Sequence, residues 1–300
     1  MASPINELRK LLKETKRFKR SQQWFKQRPR LKYFGKSARK DLVEQLGKQW
    51  RGGYVCLETG EYLYVPAKPD QQGLRRLSET FTPDPAIGLI VGPGDVVFDI
   101  GANIGEWSLP ACSRAGRDGK VIAFEPIPEM AAAIAKSFKV NGFDQGHVVE
   151  AAMSDQAGET TFTVCSGEDG SGDTALSHIG EEGPSGKRLK VACLTVDDFV
   201  AEQKFEKLDC LKIDVEGWEL SVLKGAAETL RSLKPKLVFE TGHETPEGRK
   251  DTATYLEMVG YDLIGVLLDE SIIEANWKDY VAEQGPLSFG QTHNLLALPK

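Results

Sequence analysis

Residues Val96 to Cys112, VVFDIGANIGEWSLPAC, constrain the fold more than any other stretch of this sequence. An apolar run of strand type ends in Asp99, a short turn bounded by Gly101 and Gly105 follows, and a helical pattern then begins. In an open parallel sheet, a strand–turn–helix unit of this kind places its turn at the carboxyl end of the strand, where ligands bind. We therefore predict that this turn forms one wall of a ligand site.

From residue 95 onward the pattern alternates between strands and helices. Runs such as KVIAFEP, LDCLKIDVEG and KLVFET are typical of buried strands, and helical patterns lie between them; WELSVLKGAAETLRSL is predicted as one helix. This alternation favours an α/β fold with a mostly parallel sheet and helices on both faces. We divide the chain into a basic helical extension (1–52), a β-hairpin with a lead-in (53–94) and the main domain (95–300).

The spacing within the glycine turn argues against a dinucleotide ligand. A GxGxxG turn binds a pyrophosphate at the helix N-terminus, but here the middle glycine is missing. Glu106 and Trp107 stand where a phosphate needs space and positive potential. A ligand without phosphates, whose amino acid end carries a cation, fits this turn better. S-adenosylmethionine is such a ligand, and a nicotinamide dehydrogenase is disfavoured.

Further cofactor contacts are predicted at the tips of the next two strands. Glu125 follows the glycine turn by about 20 residues, a spacing at which an acid accepts hydrogen bonds from ribose hydroxyls. The third strand ends in AAMSDQAG, so we expect Met153 to pack on the adenine and Ser154 or Asp155 to lie near its amino group. The predicted cofactor-binding residues are Asp99, Gly101, Ala102, Asn103, Gly105, Glu125, Pro126, Met153, Ser154 and Asp155.

Several segments resemble the FkbM family of S-adenosylmethionine-dependent methyltransferases, namely VVFDIGANIGEWS, VIAFEPIPE, AAMSDQAGE, LTVDDFV, LKIDVEGWELSVLKGA and NLLALP. The resemblance covers roughly residues 60–300, and DVEGWELSVLKGA together with the glycine turn makes it specific. It implies a class I methyltransferase (Rossmann-like) fold with a seven-stranded sheet whose last strand is antiparallel. It also implies methyl transfer, usually to an oxygen, on a sugar, glycan or polyketide-like hydroxyl. Pro110 in the first helix departs from the pattern.

Candidate catalytic groups follow the fourth and fifth strands of this domain, in KIDVEGWE and VFETGHE. We expect Asp214 to lie beside the reacting methyl, where it would position the acceptor hydroxyl or contact the cofactor's amino group, with Glu240 nearby. We prefer His243 as the general base because histidine is partly charged near neutral pH without assistance. Strand alternation puts Lys212 on the same face as Asp214, and a buried lysine needs such a partner.

Three residues are predicted to face the substrate, namely Lys212, Glu216 and His178. The Gly- and acid-rich loop at 166–188, which contains His178, is a candidate acceptor-side lid. Glu240 and Asp214 could hold a divalent metal, as carboxylates at these tips do in enzymes like catechol O-methyltransferase. The sequence offers no clear third ligand, so we do not favour a metal. Trp107 and Trp218 are interpreted as packing residues rather than sugar platforms.

Charge is distributed unevenly along the 300 residues. Residues 1–51 hold 16 Lys and Arg against 4 Asp and Glu, a charge of +12, whereas the other 249 residues hold 22 against 40, a charge of −18. We predict a basic amphipathic helix at 5–20 and a second helix at 37–50. The basic arm is expected to pack on the body, to form a homo-oligomer contact, or to bind a membrane surface or another anionic partner.

Three functional hypotheses follow. The favoured one is an O-methyltransferase acting on a small-molecule or glycan acceptor. The second is an RNA methyltransferase guided by the basic arm, which the acidic body makes less favourable. The third is a non-catalytic module that binds the cofactor. Five widely spaced cysteines without a CxxC pair, and no secretory signal or membrane span, lead us to expect a cytoplasmic protein.

Overall fold

The computed structural model of the protein describes residues 48–57, 59–67, 69, 73, 86–165, 178–179, 186–242, 244–268, 271–287 and 293–300. The helix predicted at 5–20, most of the helix predicted at 37–50, most of the loop at 166–188 and His243 lie outside these residues. In the part of the chain that is described, no helix is both long and apolar enough to cross a membrane.

The central sheet contains eight strands within the described residues. They are β3 (Val96–Ile100), β4 (Lys120–Phe124), β5 (Gly146–Val149), β10 (Cys210–Ile213), β11 (Lys236–Thr241), β12 (Tyr261–Leu268), β13 (Ser271–Glu274) and β14 (His293–Pro299). Their order is β13-β12-β14-β11-β10-β3-β4-β5. The strands from β11 to β5 are parallel, and β14 runs antiparallel to both of its neighbours. The predicted fold class is confirmed, and β13 adds one hairpin strand to the seven expected.

Two smaller β structures flank this sheet. The predicted hairpin is present as β1 (Arg51–Cys56) and β2 (Tyr62–Ala67). A second sheet has the order β6-β9-β7-β8, where β6 is Ala152–Met153, β7 is Gly158–Cys165, β8 is His178–Ile179 and β9 is Gly186–Leu194. The predicted third strand of the main sheet therefore ends at Val149, and AAMSD begins the second sheet instead.

Helices cover both faces of the central sheet. The helices are α1 (Ile87–Ile90), α2 (Ser108–Ala115), α3 (Pro128–Asn141), α4 (Val196–Glu202), α5 (Glu219–Lys224), α6 (Ala227–Ser232), α7 (Pro246–Met258) and α8 (Trp277–Val281). Because neighbouring strand residues point to opposite faces, Val97 joins the apolar cluster under α2 and α3. Phe98 joins the cluster under the later helices. Pro110 falls in the first turn of α2, where its missing N–H has no helical partner to lose.

The segment predicted as one helix after Trp218 is broken into α5 and α6 at Gly225. A Cβ on Gly225 would lie 2.0 Å from the carbonyl oxygen of Ser154. The backbone of the segment therefore touches the loop that follows β6 directly. The main-chain N–H of Asp197 donates to the Gly225 carbonyl (2.9 Å), which completes a contact that local sequence pattern does not encode.

The glycine turn after β3 approaches the end of β10 in the same way. Gly101 has a φ of +78°, and a Cβ on it would lie 1.8 Å from the carbonyl oxygen of Asp214. Only glycine fits a position that combines a left-handed backbone with such a close approach. The two segments with the strongest motifs are therefore in backbone contact.

We predict that Gly101→Ala destabilises the protein by about 3 kcal/mol or more, because backbone strain and steric overlap act together. Gly94→Ala is the matched control, since Gly94 has a φ of +79° and no atom within 4 Å of its ideal Cβ. It should cost only about 1 kcal/mol. Urea unfolding measures both values, and equal losses for the two variants would show that the approach to Asp214 is unimportant.

Candidate functional site

The glycine turn is organised around the end of β4. The N–H groups of Gly101 and Ala102 both donate to the carbonyl oxygen of Phe124, each at 3.1 Å. Asn103 (φ 50°) and Gly105 (φ 91°) continue the left-handed backbone that Gly101 begins. These bonds bend the turn over the carboxyl ends of β3 and β4, as the sequence predicted.

Glu125 follows β4 and is fixed by the main chain on both sides. Its Oε2 accepts from the N–H of Asn103 and its Oε1 from the N–H of Ile127, each at 2.8 Å. These two bonds orient the carboxylate relative to the glycine turn. The side chain is buried yet lies at the strand tip, where the sequence analysis placed a ribose contact.

A buried chain of charges lies beside this turn, and it comprises Asp99, Lys212 and Asp214. The Lys212 Nζ is 3.2 Å from Asp99 Oδ1 and 3.1 Å from Asp214 Oδ2. Ser108 donates its hydroxyl to the other Asp99 oxygen at 2.5 Å. Lys212 lies directly opposite Asp99 in the register of the parallel pair β3–β10. The predicted pairing of Lys212 with Asp214 is confirmed, and Asp99 is a second partner that sequence reasoning missed.

Burial bears on two of the predicted contacts. Asp99 is 0% exposed and accepts from Ser108 and Lys212, so it supports the site from below. The Lys212 side chain is 5% exposed and is held between two carboxylates, so it positions Asp214. Asp214, whose side chain is 28% exposed, is the member of this ion chain that reaches solvent at the carboxyl edge of the sheet, where the ligand crevice is expected.

The charge of Lys212 is fixed by its partners. Burial alone lowers the pKa of the ammonium, but Asp214 and Asp99 raise it further than burial lowers it, and the net pKa lies well above the usual range. Lys212 therefore stays protonated, and the three groups together carry one negative charge. Of the two carboxylates, Asp214 lies beside the crevice, and its negative charge favours a cationic ligand there.

The loop from Asp214 to Glu219 is folded back by the carboxylate of Glu219. Its Oε1 accepts from the N–H groups of Val215 and Gly217, each at 3.1 Å, and the residue is 3% exposed. Glu216 (φ 54°) and Gly217 (φ 93°) adopt the left-handed backbone that this closure requires. Burial raises the pKa of Glu219 to about 7, against the hydrogen bonds that lower it.

Three half-buried carboxylates meet at the tips of β10 and β11. One oxygen from each of Asp214, Glu216 and Glu240 lies within 4.8 Å of the others. No clear third metal ligand was predicted from the sequence, and Glu216 is a candidate for it in the structure. The group could hold a divalent cation, although acidic clusters of this kind are also common without one. Its negative potential disfavours polyanionic ligands.

The loop after β11 is held by Glu244, a residue that the sequence analysis did not single out. Its Oε2 accepts from the Thr241 hydroxyl (3.0 Å) and the Gly242 N–H (2.7 Å), and its Oε1 accepts from the Tyr280 hydroxyl (2.8 Å). The loop that follows Glu240 is therefore anchored to α8. His243, the predicted base in this loop, lies outside the described residues.

The predicted adenine contacts form a hydrogen-bonded edge. The Trp218 Nε1–H donates to the Ser154 hydroxyl (3.1 Å), which donates to Asp155 Oδ1 (3.1 Å). Met153 is buried beneath them, whereas Asp155 is exposed. Trp218 is 36% exposed, so it forms part of the site's rim as well as packing.

The remaining predictions for this region have mixed outcomes. The Trp107 ring is 4% exposed and packs in the core, as predicted, whereas its Nε1–H has no partner among the described residues. Pro126 is buried beside Glu125. His178 pairs through its backbone with Thr163 in β8 and β7, but its side chain is outside the described part of the structure.

Two buried polar atoms near the turn fit an amino acid ligand. Among the described residues, the Asn103 Oδ1 and the Trp107 Nε1 have no hydrogen-bond partner. Buried polar atoms are rarely left unsatisfied. An acceptor and a donor of this kind match the ammonium and carboxylate of the methionine part of S-adenosylmethionine.

We predict that Glu219→Gln removes a pH dependence of stability. Burial raises the pKa of Glu219 from its usual value of 4.5 to about 7. Between pH 4.5 and about pH 7, Glu219 is protonated in the folded protein but ionised in the unfolded chain. The contribution of Glu219 to the free energy of unfolding is therefore fully present below pH 4.5 and is lost as the pH rises through about 7. Wild type should lose up to about 3 kcal/mol over this window, and the glutamine variant should not.

Urea unfolding at about pH 5 and about pH 8 measures the effect on both proteins. Glu228→Gln is the control, because Glu228 is exposed in the first turn of α6. A free-energy difference between Glu219→Gln and wild type that is the same at both pH values would contradict the prediction.

Comparisons with known proteins agree with this geometry. The family model for the methyltransferase FkbM domain matches residues 99–263, more than half of the chain. FkbM of Streptomyces tacrolimicus, a 31-O-demethyl-FK506 methyltransferase, is 32% identical over 166 residues, which cover 47% of this chain and 63% of that protein. AmbE of Pseudomonas aeruginosa, an AMB antimetabolite synthetase, is 31% identical over 195 residues, which cover 54% of this chain and 9% of AmbE.

The chain thus spans less than two thirds of the length of both relatives. Among solved structures, the FkbM methyltransferase of Methylobacillus flagellatus aligns with a TM-score of 0.46 and 18% identity, over 70% of this chain and 45% of that one. The match of the family model includes the glycine turn, Glu125 and the loop from Asp214 to Glu219. The chain belongs to the FkbM family of methyltransferases.

Proposed function

We propose that the protein transfers a methyl group from S-adenosylmethionine to a hydroxyl of a small-molecule or glycan acceptor. The observation that carries the proposal is the Glu125 carboxylate, which two main-chain N–H groups hold at the tip of β4. A carboxylate fixed in this way is prepared to accept hydrogen bonds from a ribose without reorganising.

The chain supplies complementary groups for each part of this donor. Glu125 would bind the ribose, and the edge formed by Ser154 and Asp155 would face the adenine. The buried Asn103 Oδ1 and Trp107 Nε1 would take the amino acid end. The donor supplies an activated methyl on a positively charged sulfur, and the negative charge at Asp214 favours such a cation.

The protein's task toward the acceptor is to orient a hydroxyl and to remove its proton. Asp214 Oδ2 is bonded to Lys212, so its position is fixed while the carboxylate faces the crevice. Orientation of this kind lowers a barrier by several kcal/mol, and a general base adds about 10²- to 10⁴-fold. Asp214 would orient the hydroxyl, and Glu240 or His243 would accept the proton.

The acceptor class follows from the charge of the site. The acids Asp214, Glu216 and Glu240 at its mouth repel a phosphate backbone, so RNA methylation is the weaker candidate. The name of the Streptomyces relative, a 31-O-demethyl-FK506 methyltransferase, supports a hydroxyl acceptor. We also propose that the reaction takes place in the cytoplasm, where free thiols such as those of Cys56, Cys112, Cys193 and Cys210 persist.

We predict that Glu125→Gln weakens S-adenosylmethionine binding by about 10- to 100-fold. The amide offers one oxygen where the main chain requires two, so one N–H loses its acceptor and the ribose loses a charged partner. Isothermal titration calorimetry measures the affinity. Glu129→Gln, at an exposed position in the first turn of α3, is the control. Unchanged affinity in the Glu125 variant would refute the cofactor assignment.

We predict that Asp214→Asn lowers kcat by about 10²-fold and weakens cofactor binding by a smaller factor, because the attraction of Asp214 for the sulfonium is only one of the cofactor's proposed contacts. The reason is that the variant keeps the size of the side chain but loses the charge that orients the acceptor. Release of S-adenosylhomocysteine, assayed over a panel of sugars, nucleotide sugars and RNA, measures turnover. Asp251→Asn, exposed on α7, is the control. A wild-type rate in the Asp214 variant would remove this residue from the mechanism.

A further inference from the structure

The hairpin of β1 and β2 presents an aromatic face to solvent. Tyr54 lies opposite Tyr64 in the antiparallel register, and Tyr62 is two residues from Tyr64, so the three rings share one side of the hairpin. Tyr54 and Tyr62 are 47% and 48% exposed. The opposite side carries Leu63 and Val65, which are fully buried against the body.

Helix α3 holds this hairpin in place and extends the face. The edge of β2 bonds to helix side chains: Tyr62 N–H donates to Asn141 Oδ1 (2.8 Å), and Tyr64 N–H donates to Ser137 Oγ (2.8 Å). Beside these contacts Val140 is 45% exposed, and Lys136 Nζ lies 4.0 Å from the Tyr64 ring centroid. We call Tyr54, Tyr62, Tyr64, Lys136 and Val140 the tyrosine face.

The tyrosine face is rigid, amphipathic and rimmed by cations. The Tyr54 and Tyr64 rings pack edge to face at 5.2 Å, so the aromatic groups are ordered without a partner. Lys139, three residues after Lys136 on α3, is exposed as well. Tyrosine rings flanked by basic side chains suit the headgroup region of a bilayer, where one end of the ring is apolar and the other is wet.

The charge of the adjoining chain indicates which membrane would bind. The hairpin begins at Arg51, and residues 1–51 carry a charge of +12. Basic residues next to an anionic leaflet each contribute about 1 kcal/mol to adsorption. A basic segment that precedes β1 in the sequence and an aromatic face on the hairpin supply the two kinds of attraction that interfacial binding uses.

The tyrosine face lies far from the cofactor site. Helix α3 starts at Pro128, three residues after Glu125, and ends at Asn141 beside the hairpin. Its 14 residues separate the two ends by about 20 Å, and Lys136, the member of the face nearest to Pro128 along the helix, is about 12 Å from it along the axis. A membrane that binds the tyrosine face would therefore leave the crevice open. The face is better suited to anchoring the protein than to delivering an acceptor to the crevice.

From these observations we propose that the tyrosine face and the basic residues beside it dock the protein on an anionic phospholipid bilayer. The proposal is independent of the methyl acceptor and of the assignment of S-adenosylmethionine. A single-stranded RNA, whose bases also stack on tyrosines, is the rival occupant. The acidic crevice and its distance from the tyrosine face argue against RNA.

Co-sedimentation of the full chain with vesicles tests the proposal. We expect binding to equimolar phosphatidylcholine and phosphatidylglycerol, and far weaker binding to phosphatidylcholine alone. The double variant Tyr54→Ser/Tyr62→Ser should reduce partitioning by at least about tenfold, because both rings lose apolar contact. Lys136→Gln should reduce it by about fivefold. The half-exposed positions make these variants compatible with folding.

Matched controls come from the other side of the molecule. Met258→Ser removes a side chain that is 66% exposed on α7, and Arg231→Gln removes an exposed cation on α6. Neither should change partitioning, and every variant should keep the wild-type affinity for S-adenosylmethionine. Wild-type partitioning of the tyrosine double variant would overturn the proposal. So would equal binding to both vesicles, or displacement from anionic vesicles by single-stranded RNA.

Discussion

The crevice depends on one buried ion chain, in which Lys212 is held between Asp99 and Asp214. Removing one member of a buried pair typically costs about 3–5 kcal/mol, because the remaining charge has no water to solvate it. This ion chain joins β3 to the end of β10, and the hydrogen bond from Ser108 to Asp99 joins it to α2. It therefore fixes the position of Asp214 and sets the sign of the potential there.

Close backbone approaches complete this rigid edge. The turn at Gly101 touches the Asp214 carbonyl, and Gly225 touches the Ser154 carbonyl. The first contact joins the glycine turn to the loop that carries the acids, and the second joins the helical segment after that loop to the adenine edge. Together they hold the tips of three strands as one unit, so the groups around the crevice need little reorganisation when a ligand binds.

Local pattern was enough to predict the alternating fold, the position of Glu125 and the pairing of Lys212 with Asp214, whereas the antiparallel last strand was implied by the resemblance to the FkbM family. It could not predict that Asp99 also faces Lys212, because that contact depends on the register of two strands 113 residues apart. Gly225 was expected inside a helix for the same reason, because its contact with the Ser154 carbonyl joins residues that are far apart in the sequence. Glu216 joins the acids through a left-handed backbone that Glu219 closes, and this is also a tertiary effect.

The separation of charge along the sequence has a structural counterpart. Acids collect at the mouth of the crevice, whereas Lys136 and Lys139 lie in the last two turns of α3. With a Debye length of about 10 Å, an anionic surface would attract the molecule when it approaches the lysines and would repel it when it approaches the acids. The acids that would favour a sulfonium cation would thus also turn the crevice away from the membrane. Binding of the cofactor and orientation of the protein on the membrane would then depend on the same charges.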